Sequence, residues 1–165
     1  MSNIRLNIDR NINISINEPE LIDLVNNVFE IIKLNQNTEL SILLTNNEYI
    51  TTLNSKYRGL NEPTDVLSFS PKFSGKYYGE NKESEIEEIC FPTHPQMSNH
   101  QLGDIAISIE YIIKKNKTDS KIINYEIKKL LIHGILHLNG HDHEKPKEEK
   151  EMLSITNNII KKLKI

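Results

Sequence analysis

Residues 133–143 read HGILHLNGHDH, and they close an apolar run in which Ile127, Leu130, Leu131, Ile135, Leu136 and Leu138 recur at helical spacing. Ser120 to Leu138 is therefore predicted helical, with Gly140 ending it in a left-handed conformation. His133 and His137 stand one turn apart on the same face, so both imidazoles reach one point in space. Beyond the glycine the chain turns back and brings His143 towards that point. One histidine on an apolar face reads as a hydrogen-bonded core residue. Three of them around a turn glycine read as a cage for one metal ion. Nitrogen-only ligation suits zinc best, and nickel, cobalt or copper fit the same cage. Three protein ligands leave a fourth position open, which is the arrangement of a catalytic centre.

Outward from this helix, strands and helices interleave. The first sixteen residues alternate Ile or Leu with polar residues, which is strand periodicity. A helical pattern follows from Glu18 and Pro19 to about Leu34, and Glu39 to Thr45 reads as a strand. Asn46 or Asn47 is placed to cap a short helix whose Tyr49, Ile50 and Leu53 face inward. Asp65 to Phe69 and Leu102 to Ile109 read as further strands, and Glu110 to Lys115 and Pro146 to Leu163 as helices. Residues 71–101 differ, with five glutamates against three lysines and little periodicity. They are expected to form a long surface loop insertion. With no internal repeat, the 165 residues predict a single α+β domain.

Composition narrows the context. A single cysteine, Cys90, precludes an intramolecular disulfide and fits a reducing cytoplasm. The N-terminus lacks a signal-peptide core and no apolar run approaches a membrane span, so a cytoplasmic protein with no membrane partner is expected. Glycines are too few and scattered for a nucleotide-binding loop. The net charge of −3 does not advertise a nucleic-acid binder. Lysines nevertheless cluster at 114, 115, 117, 121, 128 and 129, where a solvated helix face is the plain reading.

The spacing H-x-x-x-H-x-x-G-x-x-H is similar to that of the metzincin zinc endopeptidases. In those enzymes a glutamate follows the first histidine and acts as general base. Here that position is Gly134. The usual water-activating carboxylate is missing, so peptide hydrolysis is demoted while hydrolysis of another bond stays open.

HGILHLNGHDH also closely resembles the H-G-x-L-H-L-x-G-[YF]-D-H signature of the YbeY family. LNSKYRGLNEPTDVLSFS (residues 53–70) resembles that family's L-N-x-x-Y-R segment leading into P-T-D-V-L-S-F, and LGDIAIS (residues 102–108) its L-G-D-I-x-I-S strand. The resemblance covers nearly the whole chain. It implies a small mixed sheet flanked by helices, with a metzincin-like three-histidine metal site in a cleft. It further implies zinc-dependent cleavage of single-stranded RNA, with rRNA and the ribosome or its small-subunit proteins as partners, in 16S rRNA 3′-end maturation and quality control. The implied metal ligands are His133, His137 and His143, one zinc per chain. The family's functionally important arginine falls on Arg58.

Arg58 is one of only three arginines. A guanidinium clamps a phosphate bidentately and stabilises charge developing on its oxygens. From spacing alone, an ion pair with Asp65 or Glu62 is as good a reading, and the resemblance tips it to function. Arg58 and His133 are accordingly assigned the catalytic roles, and Arg58, Lys114, Lys115 and Lys121 the RNA contacts. Asp65 reads as a cap or loop brace. Asp104 reads either as a partner orienting a ligand imidazole or as a brace, and Asp142 as an acceptor or a turn residue. Two positions depart from the family pattern. His141 stands where an aromatic residue is usual, and reads as its substitute or as a fourth ligand or proton shuttle. The acidic 71–101 segment, carrying Cys90, His94 and His100, is longer than the family's connection. The rival readings are a metalloprotease-like hydrolase and a non-catalytic, metal-stabilised ribosome-assembly factor.

Overall fold

The computed structural model describes residues 3–71, 100–116, 119–141 and 146–165. The elements run β1 (Asn3–Ile8), α1 (Glu18–Ile31), β2 (Glu39–Thr45), α2 (Asn47–Arg58), β3 (Val66–Phe69), β4 (Gln101–Ser108), α3 (Ile109–Asn116), α4 (Ser120–Leu138) and α5 (Pro146–Leu163). The four strands form one mixed sheet in the order β1-β2-β4-β3. β1, β2 and β4 are parallel, and β3 lies antiparallel to β4 at the edge.

Strand alternation divides the core in two. Leu40, Ile42, Leu44, Ile105 and Ile107 face α1, α4 and α5, where Val25, Val28, Ile127, Leu131 and Ile135 are fully buried. The opposite face presents Leu67 and Ala106 to Ile50 and Leu53 of α2. Burying both faces of a mainly parallel sheet explains the near-continuous apolar sequence of β2 and β4. It also fixes which way β4 faces: a one-residue slip would exchange the two cores.

The alternating pattern of the first sixteen residues becomes a strand only to Ile8. Asp9 ends it: its Oδ1 accepts from Asn11 N at 3.0 Å and its Oδ2 from Asn46 Nδ2 at 3.0 Å. Ile12, Ile14 and Ile16 still pack on the core from a non-strand segment. Apolar burial, rather than sheet pairing, accounts for their spacing. Similarly α1 stops at Ile31 because Lys33 takes φ 58°, and Leu34 N reaches back to Phe29 O at 2.9 Å. Leu34 continues the helical pattern because it packs on the core just past the cap. Of the expected 71–101 insertion, residues 72–99 lie outside the described residues. Its last residue, Gln101, already opens β4, and the carbonyl of His100 accepts from Glu39 N at 2.9 Å.

Two residues in β4 carry local costs. A Cβ on Gly103, at φ 146°, would stand 2.4 Å from the carbonyl oxygen of Phe69. Asp104 points to the α2 side of the sheet, shares its register position with Ser41 and is 9% exposed. Burial raises its carboxyl above the ordinary value against the lowering effect of the Ser41 hydrogen bond. Its Oδ1 has no hydrogen-bond partner among the described residues.

Gly103→Ala is expected to lower stability by about 3 kcal/mol or more, because backbone cannot give way as a side-chain tip can. Chemical denaturation would measure it. For Asp104 the folded state favours the protonated form, so its contribution is present at acid pH and is lost as pH rises through the raised value. The melting temperature of Asp104→Asn relative to wild type is therefore expected to rise across the pH range above the ordinary carboxylate value. A difference that is flat or falling over that range would contradict the assignment.

Candidate metal centre and cleft

α4 divides its surface between core and site. Ile127, Leu131, Ile132, Ile135 and Leu136 are buried, whereas His133 and His137 are half-buried on the remaining face. Their ring centres are 4.8 Å apart with planes at 79°. Two imidazoles bound to one tetrahedral ion, with metal–nitrogen bonds of about 2.0–2.1 Å, have ring centres roughly 5 Å apart. The pair therefore suits two ligands of one small ion. His143 and Asp142 lie outside the described residues. Among the described residues no group of three His, Cys, Asp or Glu side chains comes within metal-binding reach. The full three-histidine site is not shown; two of its members stand side by side.

The helix ends as the sequence indicates, and for a backbone reason. Gly140 has φ 92°, its N–H bonds the carbonyl of His137 at 3.0 Å, and His141 N bonds that of Leu136 at 3.0 Å. These two bonds are a Schellman cap. A Cβ on Gly140 would meet nothing within 4 Å, so conformation and not space requires the glycine. His141 takes part in the cap through its backbone N–H.

Gly134 is required for the opposite reason. A Cβ there would stand 2.8 Å from Ile105 Cδ1 and 3.0 Å from Ser68 Oγ. The position faces the sheet and is buried, 100° around the helix from His133. A glutamate at this point would displace the core before it reached a water in the cleft.

Arg58 is brought to the histidines by three local devices. It is the last residue of α2, which Asn46 caps by accepting from Tyr49 N at 2.8 Å and which Gly59 ends at φ 71°. Tyr57 packs on Phe69 of β3, ring centres 4.8 Å apart. Asn54, buried in α2, donates its Nδ2 to Glu62 O at 2.8 Å and ties down the turn that follows. A cleft of about 590 Å³ results along β3, lined by Arg58, Asp65, Ser68, Ser70, His133 and His137 among others. Asp65 braces this wall: its Oδ1 accepts from Val66 N at 2.8 Å, and its carbonyl from Ser108 N at 2.9 Å.

Asp104 is not beside the imidazoles. It lies on the other face of the sheet, so a direct role in orienting them is ruled out by strand alternation. Lys121 is exposed twelve residues before His133, about 18 Å along the helix. Lys114 and Lys115 are exposed in the last turn of α3, and none of the three lines the cleft. Sequence reasoning passed over the brace by Asn54, whose one signal is its place in the L-N-x-x-Y-R segment. Cys90 and His94 lie outside the described residues.

With this geometry established, comparison with known proteins gives a consistent result. The family profile described as endoribonuclease YbeY matches residues 7–164. A Syntrophomonas wolfei protein named endoribonuclease YbeY is 35% identical over 145 residues, covering 88% of this chain and 85% of its own. A Lactiplantibacillus plantarum protein of the same name is 31% identical over 154 residues, covering 87% of each chain. In fold, the chain is similar to the solution structure of TM1509 from Thermotoga maritima, with a TM-score of 0.53 at 20% identity, over 98% of this chain and 91% of that one. The match across nearly the full length, on the same segments that build the cleft, means that this chain belongs to the YbeY family.

Proposed function

We propose that this chain is a zinc-dependent endoribonuclease that cuts single-stranded RNA, acting in 16S rRNA 3′-end maturation and ribosome quality control. The observation that carries the reading is that Arg58, from α2, lines the same cleft as His133 and His137 of α4. The family name of the relatives supplies the reaction class. An arginine that lines the same cleft as two imidazoles is suited to phosphate binding, since its fork matches two phosphate oxygens and its charge is permanent.

The residues divide the work. His133 and His137, with His143 as the third donor, would hold the metal. A bound zinc ion would supply a Lewis acid and lower the pKa of a coordinated water. Arg58 binds the scissile phosphate, orients it and offsets the negative charge that develops as the fifth oxygen approaches phosphorus. Asn54 and Tyr57 position Arg58 by fixing the end of α2. A cytoplasmic location on ribosomal RNA belongs to the same reading.

A peptidase reading fares worse on a specific observation. The position of the metzincin glutamate is Gly134, which packs against Ile105 and Ser68 and leaves no room for a carboxylate.

Purified wild type, Arg58→Ala and His133→Ala should be compared on one defined single-stranded RNA, with metal content measured in parallel. Arg58→Ala is expected to lose about 10²–10³-fold in cleavage rate while keeping metal and melting temperature. His133→Ala is expected to lose both cleavage and metal. Equal cutting by all three preparations would remove the nuclease assignment and indicate a contaminant. An intact Arg58→Ala activity in cells, with unfolding on chelation, would favour the assembly-factor reading. Gly134→Ala is expected to cost about 1 kcal/mol, because the overpacking penalty of about 1–3 kcal/mol exceeds the gain in helix propensity of about 1 kcal/mol. Gly134→Glu is expected to abolish soluble folding and not to confer peptide cleavage.

A further inference from the structure

A second cleft opens on the other side of His133. It has a volume of about 330 Å³, and Lys129, Leu130, Met152, Leu153 and Thr156 line it together with Asp65, Val66 and His133. The last three also line the larger cleft. The two spaces therefore adjoin through the wall formed by His133 and the start of β3. Its volume sits at the small end of the range of ligand sites, about 300–1,000 Å³. This suits one nucleoside, not a duplex.

The lining has an order. Met152 and Thr156 are buried and form the floor, and the Thr156 hydroxyl is spent on Met152 O at 2.8 Å. Leu153 is 53% exposed, a large apolar side chain that the core does not use. Lys128 and Lys129 are neighbours in sequence with different fates. Lys128 forms an ion pair with Glu20 of α1, whereas Lys129, one turn before His133 on the cleft side of α4, makes none among the described residues. The slot is mainly apolar, with Lys129 in its lining and with the His133 imidazole and the Asp65 carboxylate, whose Oδ1 already accepts from Val66 N, in the wall shared with the larger cleft; this is the chemistry of a nucleotide subsite. Flat bases are held between apolar side chains, and the adjoining phosphate by an ammonium group.

We infer that this second cleft takes the nucleotide next to the cleaved bond. The base lies against Leu130 and Leu153, and Lys129 holds its flanking phosphate. The inference rests on the RNA-cleaving reading and deepens it, because a base can enter the slot only after leaving a helical stack.

The test uses the full chain and a fluorescently labelled single-stranded oligoribonucleotide, with binding read by anisotropy and cleavage read separately. Leu153→Ser and Lys129→Gln both change accessible side chains, and unchanged melting curves would establish that each variant folds. Leu153→Ser is expected to raise Kd roughly five-fold or more. Lys129→Gln is expected to weaken binding and to reduce the slope of log Kd against log salt by about 0.7, one phosphate contact on a single strand. An abasic residue scanned along the RNA should weaken wild-type binding most at one position beside the cut, and that position should lose its effect in Leu153→Ser. Wild-type affinity and salt slope in both variants would overturn the subsite even if the RNA is cut. Binding that depends on both residues without any cutting would uphold the subsite and sink the nuclease reading. No binding at all by wild type would overturn both.

Discussion

The contact on which this molecule depends is the direct seating of α4 on β3 and β4. A helix over a sheet normally stands off by the thickness of its side chains. At Gly134 there is none, and Ile105 Cδ1 and Ser68 Oγ occupy the space that a Cβ would take. Gly103 makes the reciprocal concession from the sheet, where a Cβ would meet Phe69 O and Leu138 Cδ2 at 2.4 and 2.8 Å. With both glycines in place the C-terminal half of α4 lies low over the edge strand. The histidines at 133 and 137, on either side of Gly134 in sequence, are then held at the height of β3, and Arg58 arrives from the opposite side of the same strand. A side chain at position 134 would press on Ile105 and Ser68 beneath the helix, and one at position 103 on the Phe69 carbonyl of β3 and on Leu138.

That close seating also explains how one helix serves two masters without conflict. Its core face uses Ile127, Leu131 and Ile135, which are at most 1% exposed, and burial of such side chains supplies about 1.5–3 kcal/mol each. Its other face carries Lys129, His133 and His137, four residues apart each time, so the polar groups form one stripe. The stripe needs a rigid end. Gly140 provides it by closing the helix with two hydrogen bonds in place of a fraying turn. The chain beyond the cap therefore leaves from a fixed point, which is the requirement for a third ligand supplied by the next few residues.

Where periodicity and cap chemistry agree, the sequence was legible. Ser120–Leu138, Pro146–Leu163 and Glu39–Thr45 appear with the expected bounds. The pairing of His133 with His137 followed from helix geometry alone. Three things were hidden. The isoleucines at 12, 14 and 16 mimic a strand because apolar burial imposes alternation whether or not a partner strand is present. Asp104 could not be assigned to a face without knowing that Ile105 points to α4, since register is a pairwise property of strands. The membership of Arg58 in the cleft depends on Asn54 reaching Glu62 O across the turn, a tertiary bond with no periodic signature. Family resemblance supplied that residue where local pattern did not.

The difference between a peptide-cutting and an RNA-cutting use of such a histidine pair comes down to what stands beside it. A glutamate at position 134 would require α4 to ride higher, and a higher helix would part His133 from the β3 wall and from Asp65. The tight packing that excludes the carboxylate also seats His133 and His137 over β3, the strand on which Tyr57 of α2 packs through Phe69. A chain seated this closely has glycine in place of the side-chain base and, in the same cleft, an arginine at the end of α2. That exchange suits a phosphodiester, whose transition state gathers negative charge on oxygens that a guanidinium fork can meet.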